Sequence, residues 1–223
     1  HSIRVEEANE AIGINTRYEL AKATAIIRHR LIDAHLHNGV TNVDPANTYI
    51  DQGVTIGLDT TIHPGTVIES DVAIGKRCAI GPYARLRRGV VVDDDVRIGN
   101  FVELVRTKVG SGVRINHVTY LGDTTVEDDV NIGAGTVTAN FNGTEKLPTV
   151  IGKGAFIGCD TVLVAPVKVG PGATTGAGSV VPRAHDVAPR TTVVGVPARL
   201  MERKAAAPAP VKPGTNGAAK RRV

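Results

Sequence analysis

The chain has 223 residues, of which 42% are hydrophobic and only 3% aromatic, so Ile, Leu and Val must form its core. The net charge of +4 is confined to the end, because six Lys and Arg residues but no acid follow residue 202. The remaining body is slightly acidic, which argues against a nucleic-acid partner. The two cysteines make no disulfide framework, and no apolar stretch approaches the roughly 18 residues of a membrane span. We therefore expect a cytoplasmic protein that binds neither nucleic acid nor membranes.

Residues 16–37 predict a helix with an apolar stripe. The stripe consists of residues at helical spacing: Leu20, Ala23, Ile27, Leu31 and Ala34. Asn15 or Thr16 can cap its beginning, and Gly39 can end it. We predict a linker or helical arm over residues 1–40 that packs beside or beneath the first coil of the repeats that follow. Since His1 is not an initiator Met, we also expect a longer protein that continues upstream.

Branched aliphatic residues then recur at every sixth position, ten in succession, from Ile50 to Leu104. A small or β-branched residue precedes each of them by two positions. A period of six is neither that of a helix nor that of a simple strand, and it is typical of a solenoid whose stacked coils bury a common core. We predict an all-β hexapeptide-repeat solenoid over residues 41–200, with about seven coils of three faces each. Repeated Ile-Gly pairs predict turns in which glycine adopts unusual backbone angles.

The count of six is interrupted at three places. Two intervals shorten to five, from Leu104 to Val109 and from Leu121 to Val126, and residues 139–149 form an insertion that predicts an extruded loop. Residues 182–202 are expected to leave the coil and cover its end. Residues 201–223 are basic and rich in Pro and Ala, a composition that predicts a disordered tail.

Several stretches resemble the hexapeptide-repeat acyltransferases: IGPYARLRRG, GNFVEL, HVTYLGD, NIGAGTVTANFNG and DTVLVAPVKVG. The resemblance is strongest to the acetyltransferase half of the bifunctional N-acetylglucosamine-1-phosphate uridylyltransferase/glucosamine-1-phosphate N-acetyltransferases, and it covers roughly residues 8–185. It implies a left-handed parallel β-helix, a homotrimer with sites between subunits, small-molecule substrates, acetyl-CoA as co-substrate and no metal. The implied reaction acetylates glucosamine-1-phosphate for UDP-N-acetylglucosamine and peptidoglycan synthesis. The glycine-rich start of the uridylyltransferase domain is absent from this sequence.

The resemblance also assigns roles to individual residues. It makes His117 the catalytic base and Glu103 its acidic support, and an imidazole that titrates near pH 6.5 suits this role. The substrate-binding positions that it implies are Arg87, Val105, Tyr120, Asn131 and Lys146. The acetyl-CoA positions that it implies are Ala134, Asn140, Phe141, Cys159 and Ala177. No trio of histidines has the spacing of metal ligands, so no metal is expected.

Some of these positions depart from the family. Val105 stands where the family has a phosphate-binding Lys, and strand alternation places the adjacent Arg106 on the opposite face. Phe141 replaces a Tyr, Cys159 replaces a Ser, and Gly195 lies near the position of a late CoA-binding Arg. Three hypotheses remain: acetylation of glucosamine-1-phosphate, the same chemistry on another amino sugar, or a non-catalytic β-helix that trimerises an upstream nucleotidyltransferase domain.

Overall fold

A computed structural model of the protein describes residues 12–201; the beginning of the predicted arm and the predicted disordered tail lie outside this range. Helix α1 covers Arg17–His37, as the sequence predicts. Thr16 caps it through a reciprocal pair of hydrogen bonds: the Glu19 backbone N–H donates to the Thr16 hydroxyl, and the Thr16 backbone N–H donates to the Glu19 carboxylate. Within the described range, no helix has the length and hydropathy of a membrane span.

The predicted stripe of α1 packs on the first coil only in part: Leu31 is half-buried and borders Ile50, whereas the beginning of the stripe is exposed. Leu20 and Ile27 are more than half exposed, and Ile32 is the buried residue of this helix within the described range. The helix meets the first coil through its second half, where the Arg28 guanidinium lies 4.6 Å from the centre of the Tyr49 ring. The apolar residues of its first half are therefore left largely exposed.

The rest of the described chain consists of short strands and one 3₁₀ turn, Pro45–Asn47. The strands are β1 (Thr41–Asn42), β2 (Tyr49–Ile50), β3 (Thr55–Ile56), β4 (Thr61–Ile62), β5 (Val67–Ile68), β6 (Ala73–Ile74), β7 (Ala79–Ile80), β8 (Arg85–Leu86), β9 (Val91–Val92), β10 (Arg97–Val105), β11 (Lys108–Val109), β12 (Arg114–Gly122), β13 (Thr124–Val126), β14 (Asn131–Ile132), β15 (Val137–Ala139), β16 (Thr149–Ile151), β17 (Phe156–Ile157), β18 (Val162–Val164), β19 (Val167–Val169), β20 (Thr174–Thr175), β21 (Val180–Val181), β22 (Thr192–Val194) and β23 (Arg199–Leu200). Most are two or three residues long because the chain turns a corner after each face.

These strands form a parallel β-solenoid of about eight turns, which confirms the all-β prediction. Each strand pairs with the strand one coil later, and because β10 and β12 extend over two faces, two of the three faces are continuous as one sheet. The solenoid also extends further than expected: β22 continues the parallel pairing, with Thr192 opposite Thr174, and only β23 reverses direction. The left-handed winding stays a prediction from the family resemblance.

The six-residue count describes the core correctly. Nine of the ten aliphatic residues from Ile50 to Leu104 are buried, and Ile56 is partly buried. The residues two places before them are buried as well, including threonines such as Thr60, whose hydroxyl donates to the Gly75 carbonyl of the next coil. Each inward aliphatic side chain contributes about 1.5–3 kcal/mol by burial, so stacked coils stabilise one another.

The role predicted for the Ile-Gly glycines is wrong for most of them. Gly57 has ordinary backbone angles, and a Cβ atom there would lie only 2.7 Å from the Gly75 carbonyl group of the next coil. Glycine is needed at such positions because successive coils stack too closely for a side chain. Left-handed backbone angles occur instead at other corners, several of which carry Asp, a residue that tolerates them.

Candidate active site

The two shortened intervals produce coils of 17 residues in the middle of the solenoid. Strands β10 and β12 lie side by side in parallel, with Asn100 opposite His117 and Glu103 opposite Tyr120. Earlier coils repeat every 18 residues, as the pairing of Leu86 with Leu104 shows. Both strands continue through a corner at which the other strands break, so the backbone there is held by interstrand hydrogen bonds. The slip in the sequence therefore coincides with the most continuous strand pair of the fold.

The predicted base and three predicted cofactor residues lie in one column along a corner of the solenoid. From one coil to the next, the column contains His117, Ala134, Cys159 and Ala177. The backbone hydrogen bonds that link these corners are Gly135 N–H to Val118 O at 2.8 Å, Asp160 N–H to Ala134 O at 2.7 Å and Gly178 N–H to Cys159 O at 2.7 Å. His117, Cys159 and Ala177 are exposed and Ala134 is partly so. The corner can therefore present a continuous surface to an extended ligand.

The backbone turns sharply directly after His117. Val118 has a φ of +36° and Phe101, one coil earlier, has a φ of +56°. A β-branched residue in this region is a genuine outlier, and such strain costs of the order of 1–3 kcal/mol. Phe101 and Val118 are also exposed, at 60% and 54%. Strain of this kind is found mainly at functional sites, and here it shapes the corner that carries His117.

The structure gives His117 a different partner from the expected one. Its Nδ1 atom lies 2.8 Å from Oδ1 of Asn100 in the preceding coil. The Glu103 carboxylate instead accepts a hydrogen bond from Nη1 of Arg87, at 3.2 Å. Glu103 follows Asn100 by three residues along β10 and pairs with Tyr120, so its side chain belongs to the neighbouring face of the coil. The support of His117 by Glu103 is therefore not part of this geometry.

Arg106 lies within the candidate site, contrary to the expectation from strand alternation. Strand β10 ends at Val105, and Arg106 has a φ of +46°, so the alternation of faces no longer applies. Its guanidinium binds both oxygens of Asp123, with Nη2 at 2.7 Å from Oδ2, and the Asn140 amide donates to the same carboxylate. The intervening Gly122 has no room for a side chain, because the hydroxyl of Tyr120 and the amide of Asn140 occupy that space. Asp123 thus holds this group of residues together.

The insertion is an extruded loop, as expected, and it begins beside Asp123. An antiparallel bridge joins Phe141 to Lys146, both of which are exposed, whereas Asn140 at the base of the loop is buried. Lys146 is close enough to Asp123 to act on it electrostatically. Asn131 lies elsewhere, on β14 between Arg114 and Phe156. The structure therefore brings Tyr120, Asn140 and Lys146 towards one carboxylate, and it does not bring Asn131 or Phe141 to it.

The sequence interpretation missed Asn100 and Asp123 as site residues. Both lie in stretches that carry the family resemblance, GNFVEL and HVTYLGD. A usable signal for Asn100 was its distance of 17 residues from His117, which equals the length of the shortened coil. Asp123 carried the same signal, because it lies 17 residues after Arg106 and 17 residues before Asn140, its two hydrogen-bond partners.

We expect the exchange of Asp123 for Asn to weaken the fold in a pH-dependent way. The Arg106 guanidinium, assisted by the Asn140 amide, holds the pKa of Asp123 below its ordinary value. A lowered carboxyl pKa stabilises the folded state above the unfolded pKa of about 4, and this contribution disappears as the pH falls through the folded pKa. Urea unfolding should show wild type to be more stable than Asp123→Asn near neutral pH, and the difference should shrink below about pH 4.

The matched control for this experiment is Asp59→Asn, which changes an exposed aspartate that also has a positive φ. We expect little difference between this variant and wild type at any pH. A stability difference for Asp123→Asn that stays constant from neutral to acidic pH would show that the ion pair with Arg106 does not stabilise the fold.

Comparison with known proteins identifies the family. The sequence matches the family described as "Bacterial transferase hexapeptide (six repeats)" at residues 53–88 and 148–183. Both segments lie in the solenoid, and the second contains Cys159 and Ala177 of the corner column. The chain belongs to the hexapeptide-repeat transferases.

Individual relatives agree with this family assignment. The chain is 41% identical over 220 residues to the bifunctional protein GlmU of Geobacillus thermodenitrificans, covering 84% of this chain and 48% of that protein. It is 43% identical over 216 residues to GlmU of Pelobacter propionicus, covering 82% and 47%. The chain thus spans about half the length of the curated relatives that it matches. Among solved structures, UDP-N-acetylglucosamine acyltransferase from Campylobacter jejuni resembles it with a TM-score of 0.49 and 15% identity, covering 70% of this chain and 73% of that one.

Proposed function

We propose that the chain is an acetyl-CoA-dependent N-acetyltransferase that acts on an amino sugar phosphate. Glucosamine-1-phosphate is the acceptor we favour, and its product would serve UDP-N-acetylglucosamine and peptidoglycan synthesis in the cytoplasm. The observation that carries the proposal is the corner column, which places an exposed imidazole in line with the three small residues Ala134, Cys159 and Ala177.

The column has the dimensions of a groove for an extended thiol cofactor. Parallel strands lie about 4.8 Å apart, so the three coil spacings from His117 to Ala177 amount to about 14 Å. An extended pantetheine arm can cover such a distance and deliver its thioester to the end that carries His117. Small side chains at Ala134 and Ala177 allow this arm to approach the backbone, whose N–H and C=O groups are its natural hydrogen-bond partners.

The chemistry requires a base and a neutral amine. The amine attacks the thioester carbonyl, a carbon–nitrogen bond forms, and Nε2 of His117 takes the proton that the nitrogen loses. The carbon–sulfur bond then breaks, and the departing thiolate can accept the same proton from the imidazolium. Base catalysis of this kind contributes roughly 10²–10⁴-fold in rate. Nδ1 of His117 is occupied by Asn100, which leaves Nε2 for this role.

A homotrimer with sites shared between subunits is part of the proposal. Apolar side chains line the corner next to His117: Tyr83 stacks on Phe101 with ring centres 5.7 Å apart, and both rings are more than half exposed. Val118 continues this apolar surface. A second copy of the chain that covers these side chains would bury them and enclose the base.

The charges near the expected phosphate position give only weak support to a phosphorylated acceptor. Three ion pairs neutralise the arginines near the expected phosphate position: Arg85–Glu69, Arg87–Glu103 and Arg88–Asp71. Val105, where the family has Lys, is only 4% exposed. Nε of Arg87 makes no hydrogen bond within residues 12–201, but it lies 3.7 Å from Oε1 of Glu69, so a second carboxylate also neutralises this arginine. The same chemistry on another amino sugar is therefore the second candidate function.

The test is the release of thiol from acetyl-CoA in the presence of a set of amines. Glucosamine-1-phosphate, glucosamine and a nucleotide-linked amino sugar should be compared at equal concentration. We expect turnover with glucosamine-1-phosphate, and turnover that is faster with another amino sugar would support the second candidate. No turnover with any amine, from a protein that is shown to be folded, would contradict the proposed activity.

If glucosamine-1-phosphate is the acceptor, the exchange of Val105 for Lys should improve its binding. The lysine side chain would extend past Arg87, which lies one coil earlier. Its ammonium group would add a charged hydrogen bond to the phosphate. Such a bond is worth about 1.5–3 kcal/mol, so KM should fall by roughly tenfold or more. Val105→Met is the matched control, because it adds length without charge. An equal fall in KM for glucosamine, which has no phosphate, would contradict this explanation.

A further inference from the structure

The contact between Asn100 and His117 is built into the stacking of two coils. The two residues are directly opposite each other in the parallel pair β10–β12, and each is followed by a residue with a left-handed backbone. Their side chains consequently project from the same corner in the same direction, and Oδ1 of Asn100 lies 2.8 Å from Nδ1 of His117. Gly99 permits this close approach, because a side chain at that position would collide with the carbonyl group of Asn116.

This geometry determines which nitrogen of the imidazole can act as a base. The amide oxygen of Asn100 can only accept a hydrogen bond, so Nδ1 of a neutral His117 must carry the proton and donate it. Nε2 then has the free lone pair. An unconstrained histidine in water has the opposite preference and carries its proton mainly on Nε2, where it would block the base. The partner on one ring nitrogen thus decides the function of the other.

We propose that Asn100 is a positioning residue that fixes the Nδ1-protonated tautomer of His117 and thereby directs Nε2 towards the acceptor amine. The inference rests on the proposed function in so far as His117 is the base. The tautomer itself is a property of the folded protein and can be measured without any substrate. A neutral amide also differs from a carboxylate partner in that it adds no charge that would favour the imidazolium.

The tautomer can be read directly from ¹⁵N chemical shifts of histidine ring nitrogens in ¹⁵N-labelled protein at alkaline pH, where imidazoles are neutral. The chain has seven histidines, so the signals of His117 are assigned by their loss in His117→Gln. We expect Nδ1 to carry the proton in the wild type and Nε2 to carry it predominantly in Asn100→Leu. A wild-type His117 that is protonated on Nε2 would overturn the inference, whatever the outcome of the activity assay. His185→Gln is the control for this assignment. Nδ1 of His185 bonds to the Arg183 carbonyl within its own turn, so this variant should lose a different pair of signals and keep those of His117.

Kinetics of two variants separate positioning from a purely structural role. Asn100→Leu should lower kcat by about 10- to 100-fold, the loss seen when the partner that orients a metal-bound histidine is removed, with little change in the KM of acetyl-CoA. Asn100→Asp keeps an acceptor opposite Nδ1, so kcat should be largely restored at high pH. Its carboxylate stabilises the imidazolium, and the acidic limb of the kcat/KM profile should therefore move to higher pH.

The outcomes of these kinetics are distinguishable from a failure of the proposed function. If both variants lose activity equally at every pH, Asn100 is needed only for folding or binding, and the inference is wrong. If the NMR spectra show the expected tautomers while no variant and no wild type releases thiol, the inference about Asn100 and His117 holds as a statement on the imidazole, and the proposed activity fails.

Discussion

Replacing His117 with Ala should lower kcat for acetyl transfer by about 10²–10⁴-fold, the contribution expected of a general base. The fold should be unaffected, because His117 is exposed and its ring bonds to the Asn100 side chain of the preceding coil and not to the core. The KM of acetyl-CoA should also stay close to that of wild type, since the column from Ala134 to Ala177 remains. Steady-state thiol release over a range of acetyl-CoA concentrations measures both quantities.

The control for this experiment is His185→Ala, which removes an exposed histidine outside the corner column. It should retain wild-type kcat. Should His117→Ala turn over as fast as His185→Ala, the imidazole would not be the base. Should His117→Ala fail to bind acetyl-CoA, His117 would be needed for cofactor binding, and the loss of activity would not identify it as a base.

The fold was predictable because its determinant is local and repeated. Each inward aliphatic residue packs against the equivalent residue of the next coil. Ten successive repeats therefore all indicate the same local structure. The helix lacks such redundancy. Its stripe was chosen from spacing alone, and Leu20 and Ile27 proved exposed because a periodic pattern does not reveal how far along the helix its partner surface extends.

The site was predictable to a lesser degree, for reasons of geometry. Residue types and motif matches brought out His117 and the corner column, whose members are one coil apart. They did not bring out Arg106 or Asn100, since both depend on backbone angles after the end of a regular strand or at a strained corner. The strand rule fails at Arg106 because its φ is positive, whereas Glu103 lies within β10 and pairs with Arg87 instead of His117.

Gly99→Ala should destabilise the protein and disturb the candidate site at once. The added Cβ would overlap the carbonyl group of Asn116, with the carbonyl carbon at 2.6 Å and the Cα atom at 3.0 Å. These are backbone atoms that cannot rotate away, so β10 and β12 must separate locally. Overpacking of this kind typically costs about 1–3 kcal/mol. Gly99 has no left-handed backbone angle, so the loss would arise from this collision rather than from strain in φ.

The measurement is urea unfolding of Gly99→Ala beside Gly13→Ala. A Cβ at Gly13 would meet nothing closer than Nδ2 of Asn15, at 3.9 Å, so this control should be neutral or slightly more stable than wild type. We also expect Gly99→Ala to lose kcat in the fraction that stays folded, because the separation of the coils moves Asn100 away from His117. Equal stability of the two variants would mean that the coils tolerate a side chain at this corner. In that case the close approach of β10 and β12 would not be what holds the imidazole in place.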